Sequence, residues 1–287
     1  MQKKYMFRSL ADQKAVTGII VAILLLGLFL SIIAFIQSVY VPQWMENKEA
    51  ENTDEVLNKF TNLKSSIDVL TVMNQKRKPI STPIKVGTKE LPFLVSQRAY
   101  GSLQVLPNDF KINVTYNTEG ESIYRVFNLG SIKYTANNNY YMKKSVTYEN
   151  GAVITTQDSG SYMSMTPTVY ATTTSEESSK KISFSLIRIC NFKPQSISGF
   201  GTYSIKTELI SNESWNTSTA TELDFETSHP KNWKKSINGT LEEAGLIYGS
   251  SEDYIFTDTE DGFKLEFHSE LEVDVEIYNI KTTITSG

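Results

Sequence analysis

From Ala15 to Met45 the chain carries no charged residue, and Ile19–Phe35 is apolar almost without interruption (IIVAILLLGLFLSIIAF). A helix rises about 1.5 Å per residue, so roughly 20 such residues cross a hydrocarbon core of about 30 Å. The run therefore predicts a transmembrane helix over 15–41. Burying it on every side in a soluble protein would need far more chain around it. A cleaved signal peptide is the other alternative, but the run is longer than a usual signal core and no Ala-x-Ala site follows before Pro42. Tyr40 and Trp44 stand where an aromatic belt would lie, with Pro42 at the exit.

Beyond the span, apolar positions recur at steps of four and three through Val56, Phe60, Leu63, Ile67 and Leu70, while Glu55, Lys59, Asn62 and Asp68 occupy the opposite face. This period predicts an amphipathic helical extension over 42–75. The steps also fit heptads, so a short coiled coil competes with packing on the chain's own outer domain, which we favour. Lys76–Pro92, with three prolines, a glycine and several bases, reads as a linker or an edge crossing. The period then falls to two. Phe110, Ile112, Val114 and Tyr116 alternate with polar residues, as do Ile182, Phe184 and Leu186, and Leu271, Val273, Val275 and Ile277. These are strands with one face inward. Asn150-Gly151 between SVTYE and AVITT predicts a tight hairpin. One helix is expected over Pro230–Leu246, with Trp233, Ile237 and Leu241 on one side and Asn238-Gly239 able to split it. SEESSKK at 175–181 reads as a polar loop.

The fold class expected is mainly β with a long N-terminal α-helix. A basic stub (1–14), the span and its extension lead through the linker to an antiparallel β-sandwich-like extracellular domain over 93–287. Lys3, Lys4, Arg8 and Lys14 against Asp12 place the N-terminus in the cytoplasm and the rest outside. The bilayer is thus the first partner.

Composition excludes several chemistries. The 287 residues are 40% hydrophobic and 21% charged, enough for a real core, and a net charge of −4 gives no basic footprint for nucleic acid. A single cysteine and two histidines argue against a disulfide framework and a Cys/His zinc site. No Gly-x-Ser-x-Gly elbow, phosphate-cradling loop or His-Glu-x-x-His occurs, so no catalytic residue and no cofactor is expected. His229 and His268 read as surface histidines, and Cys190 as a buried strand residue. Glu242–Tyr278 holds twelve acidic residues against Lys264 alone. Asp258, Glu260 and Asp261 beside Gly262 are weak candidates for a divalent cation; a solvated strand face is the simpler account. Asn113, Asn212, Asn216 and Asn238 fit the N-glycosylation pattern, all in the outer domain. Gly27, Ser31, Ala34 and Ser38 form a strip of small side chains along which a second helix can pack, although such strips also arise by chance.

The charged N-terminus, Lys14-Ala15-Val16-Thr17-Gly18 running into an uninterrupted apolar helix, the amphipathic extension and the β-rich head together resemble archaeal type IV pilin-like proteins. Within that group VPQWMENKEAE, LPFLVSQRAYGSLQV and GFGTYSIKTEL resemble a mostly uncharacterised family of membrane-anchored surface proteins. The resemblance implies processing between Ala15 and Val16, and self-association or pilin-like partners through the helix. Two departures stand against it: the apolar helix holds no acidic residue, and the head is large for a major pilin. The expected role is structural. A static binding or adhesion module is the alternative, and a surface hydrolase a distant one.

Overall fold

The computed structural model describes residues 2–88, 99–174, 179–191 and 194–286, with backbone alone for 2–16, 174 and 179. Its N-terminal part is one helical rod: α1 (Gln2–Phe35), a five-residue π segment (Ile36–Tyr40) and α2 (Val41–Met73). From Thr17 to Met73 the rod is 57 residues, about 85 Å at the α rise. Pro42 ends nothing. A proline ring collides with the carbonyl four residues back and offers no N–H. Here that carbonyl belongs to Ser38, inside the π segment, where the turn widens and the Val41 N–H bonds to Ile36 O. The rod stops at Asn74, which takes a left-handed conformation.

The stripe expected on the extension is buried without exception, Val56, Phe60, Leu63 and Ile67 at 0% exposure. It packs on the chain's own head, against Ile84, Leu103, Val105, Tyr134 and Tyr148, which answers the coiled-coil alternative. The buried line begins earlier than the apolar pattern, running Val41, Met45, Glu49, Asn52 and Val56.

Among the described residues fourteen strands build two sheets. The first orders β4 (Glu121–Asn128), β3 (Lys111–Thr118), β12 (Gly201–Glu226), β14 (Gly262–Ser286), β10 (Ser179–Cys190) and β9 (Val169–Thr174), with β1 (Ile80–Val86) on β12 and β13 (Tyr254–Asp258) on β14. The second orders β11 (Gln195–Gly199), β2 (Tyr100–Leu106), β5 (Ser131–Asn137), β6 (Lys144–Glu149), β7 (Ala152–Gln157) and β8 (Gly160–Met165). The domain is a mainly β, sandwich-like body on a long helix. Pairing is antiparallel throughout, except that β10 and β14 run parallel from Lys181↔Glu272 to Cys190↔Lys281.

Two expectations are corrected. The linker contains β1, which pairs with β12 from Ile80↔Thr207 to Val86↔Gly201. Thr82, Ile84 and Val86 face inward, and Pro83 is tolerated because β1 is an edge strand. Ser179–Lys181, read as loop, open β10; residues 175–178 and 89–92 lie outside the described residues. Helix α3 (Pro230–Glu243) is not split at Asn238-Gly239, since Trp233, Ile237 and Leu241 are all buried on one face. The hairpin at Asn150-Gly151 forms as expected, with φ of 44° and 83° and Glu149↔Ala152 closing it.

Two clusters form the core. One joins the inner face of β3, β10, β12 and β14 to α3 and part of the second sheet. The other lies under α2 and fastens the rod to the head.

Candidate functional site: the apolar rod and the polar groups buried in the head

In the upper rod every side chain from Thr17 to Ile32 is exposed, Leu24 at 67%. The best 18-residue window has a mean hydropathy of 3.2 and none of it is buried. Leaving this much apolar surface in water costs about 25 cal/mol per Å², so the helix requires an apolar surrounding. It is long and apolar enough to cross a membrane. Tyr40 and Trp44 remain exposed at its lower end, the former edge-on to Phe35 at 5.7 Å. On the small-residue strip the Ser31 hydroxyl donates to Gly27 O at 2.8 Å and Ser38 to Phe35 O at 3.4 Å. Both hydroxyls are satisfied inside their own helix. Ser38 belongs to the π segment, so the regular α spacing of the strip ends at Ala34. Lys14, Ala15 and Val16 lie within α1, where only the backbone is described.

Below the aromatic pair the rod is tied to the head by a carboxylate. Glu49 is fully buried and accepts the backbone N–H groups of Asn139 (3.1 Å), Tyr140 (2.8 Å) and Tyr141 (2.7 Å), in the loop between β5 and β6. One turn on, the Asn52 amide donates to the Tyr134 hydroxyl at 3.4 Å, whose ionisation burial pushes upward. A carboxyl group accepting three backbone donors is directional, so with the Val56–Leu70 stripe it sets the rod's rotation and height against the head. Sequence reading passed over Glu49 because a glutamate breaks the apolar pattern. Its offset of seven residues from Val56, on the same helical line, is the signal that was there.

A second buried polar group sits between the sheets. Glu149 Oε2 accepts from Trp233 Nε1 and from the Thr227 hydroxyl, both at 2.9 Å, while Oε1 lies 3.8 Å from His229 Nε2. His229 is therefore not a surface histidine: it is 9% exposed, at the entry of α3 beside the buried Glu149. Burial, outweighing the hydrogen bonds, pushes Glu149 up to about 7, and burial with the nearby Lys133 pulls His229 down to about 4. At mildly acidic pH both are neutral. Glu149 contributes stability that is fully present below 4.5 and lost as pH rises through 7. His229 contributes stability that is present above 6.5 and lost as pH falls through 4. Between 4.5 and 6.5 the two trends oppose each other. Relative to the parent protein, His229→Gln is expected to gain unfolding midpoint as pH is lowered from 6.5 to 4, and Glu149→Gln to lose it from 7 to 4.5. Urea titrations at several pH values check this, and two variants that track the parent would refute it.

The remaining candidates disperse. Asp258 is held by Lys234, and among the described residues no three His, Cys, Asp or Glu side chains stand together to hold a metal ion. Asp258 ends β13, and Glu260 and Asp261 lie in the turn before Gly262. On the acidic face of β14, Lys181 of the neighbouring β10 bridges Glu272 and Asp274, while β14's own Lys264 meets Glu222 of β12. His268 is exposed as expected. Cys190, expected to be buried, is half-buried at the end of β10, its Sγ 3.7 Å from Asn279 Oδ1, and burial raises its thiol above the ordinary value. Of the glycosylation patterns, Asn113 is half-buried in β3, Asn238 half-buried in α3, and Asn212 and Asn216 are exposed on β12. No protein-family model, curated protein or solved structure matches the chain.

Proposed function

We propose that this chain is a membrane-anchored extracellular structural protein, a pilin-like subunit or a component of the cell envelope. The single observation that supports it is the 18-residue window of mean hydropathy 3.2, wholly exposed and continuous with a helix buried in the head. The rod anchors, the Glu49 tie transmits its position to the head, and the β domain forms the outward surface. In this reading the N-terminus is cytoplasmic, the head is extracellular, and partners are the bilayer and other helices along Gly27, Ser31 and Ala34. The role is non-enzymatic.

A second reading, a binding module, draws on a cleft of about 720 Å³ between α3 and the β8–β9 corner, lined by Thr168, Tyr170, Ser236, Thr240 and Glu243. The most exposed head tyrosines, Tyr124 at 72% and Tyr170 at 65%, occupy the opposite edges of one sheet and so do not form a common platform.

The test is the N-terminal peptide and intact mass of protein purified from its native membrane. A chain starting at Val16 is the expected result and makes assembly through the helix the leading mechanism. A chain starting at Met1 refutes the processed-pilin reading and leaves a permanent anchor. Recovery of the protein in the soluble fraction refutes both.

A further inference from the structure

Two of the four glycosylation patterns are occupied with holding the fold together. Asn113 Nδ2 donates across the sheet to Asp224 Oδ2 at 3.3 Å, and its Oδ1 is shut away from solvent. Asn238 Nδ2 donates to Glu242 Oε1 at 2.7 Å, while its Oδ1 accepts the Tyr254 hydroxyl at 3.0 Å. Neither amide is free to react without breaking these bonds. Asn212 and Asn216 differ on every count. Both are exposed, as are their hydroxyl partners Ser214 and Ser218. Strand geometry puts residues two apart on one face and so presents Asn212 with Ser214; Asn216 and Ser218 are both exposed at the bulge that follows Thr217. Across the ladder this face continues with Tyr278, Glu276 and Asp274, opposite Asn212, Ser214 and Asn216.

The same stretch is an opening in the first sheet. Strand β1 pairs with β12 as far as Thr207, and β3 pairs with it from Ala220 onward. Among the described residues, Ser211–Thr217 therefore bond to β14 on one side and to no strand on the other. A free edge of this length is a template for pairing with another chain. On its inner side Trp215 is packed against Tyr116 and Phe127, which keeps the strand extended and the edge presented.

We propose that Asn212 and Asn216 carry N-linked glycans, that Asn113 and Asn238 do not, and that the two glycans cover the free edge of β12. This rests on the head being extracellular. In the reaction the amide Nδ2 attacks C1 of a sugar activated on a polyprenyl phosphate or diphosphate. The N–C1 bond forms, the C1–O bond breaks with its electron pair leaving on the phosphate, and the amide proton passes to a base of the transferase. The acceptors stand about 13 Å apart along the strand, room enough for a glycan on each.

Peptide mass spectrometry of protein from its native membrane is expected to find added sugar mass at Asn212 and Asn216 and none at Asn113 or Asn238. Ser214→Ala should abolish the first modification and Ser218→Ala the second, with both asparagines still in place. In detergent, the double variant is expected to sediment as species at least twice the mass of the native form. Bare Asn212 and Asn216 overturn the proposal, as does sugar at Asn113 or Asn238 instead, and a double variant sedimenting as the native protein does overturns the covering role. Labelling the head's lysines on intact cells with a membrane-impermeant reagent separates the two readings. A labelled head with bare asparagines removes the glycans and leaves the topology standing; an unlabelled head removes both.

Discussion

Glu49→Ala is expected to cost about 4 kcal/mol of unfolding free energy, read from urea titration of the full chain in detergent micelles. Leaving a half-buried donor without its acceptor costs about 1–3 kcal/mol, and the sum is discounted because the three are not independent and Asn139 is open to water. The amides of Asn139, Tyr140 and Tyr141 all lose their acceptor at once. Hydrogen exchange at these three positions should accelerate more than elsewhere in the head. Glu49→Gln keeps one acceptor oxygen and its volume, so about half the loss should return. A cost below about 1 kcal/mol for the alanine variant would mean that water replaces the carboxylate and that the tie is not what fixes the rod. With the tie gone, the Val56–Leu70 stripe still holds the rod on the head, and what is lost is the fixing of the Asn139–Tyr141 loop to α2.

Trp233→Ala should be comparably damaging, about 4 kcal/mol, in the range for removing a buried tryptophan. The ring lies on Phe110 with centroids 4.8 Å apart and touches Phe225 at 6.1 Å, at the centre of the larger core. It is also one of the two donors to Glu149. Trp233→Phe divides these roles, since it retains most of the packing and removes the indole N–H. That hydrogen bond lowers the Glu149 value, so its loss should hold the carboxyl protonated above pH 7. Infrared detection of the protonated carboxyl against pH would show this. A Trp233→Phe protein in which Glu149 ionises as in the parent would place the stabilising partner elsewhere.

How much of this was legible beforehand depended on how far each feature lay from its cause along the chain. The apolar run, the stripe from Val56 to Leu70 and the alternation in Leu271–Ile277 are periodic within one element, and each was found where the period put it. The Asn150-Gly151 turn was equally readable, because its chemistry is local. By contrast β1 was missed, since its pairing with Gly201–Thr207 lies more than a hundred residues away and its own sequence is punctuated by Pro83. His229 was misread for the same reason: its neighbour Glu149 is eighty residues distant.

The sequence alone determined that this chain has one helix fit to cross a membrane, a helical extension with one apolar side, and a mainly β head. These follow from hydrophobic period and length, which any fold must respect. Only the tertiary structure decided what the extension packs on, which carboxylates are buried, which asparagines remain free, and where the sheet is left open. A polar side chain's environment is made by residues remote in sequence, and burial can turn an ordinary glutamate into a tie, as at Glu49, or into a near-neutral acid, as at Glu149.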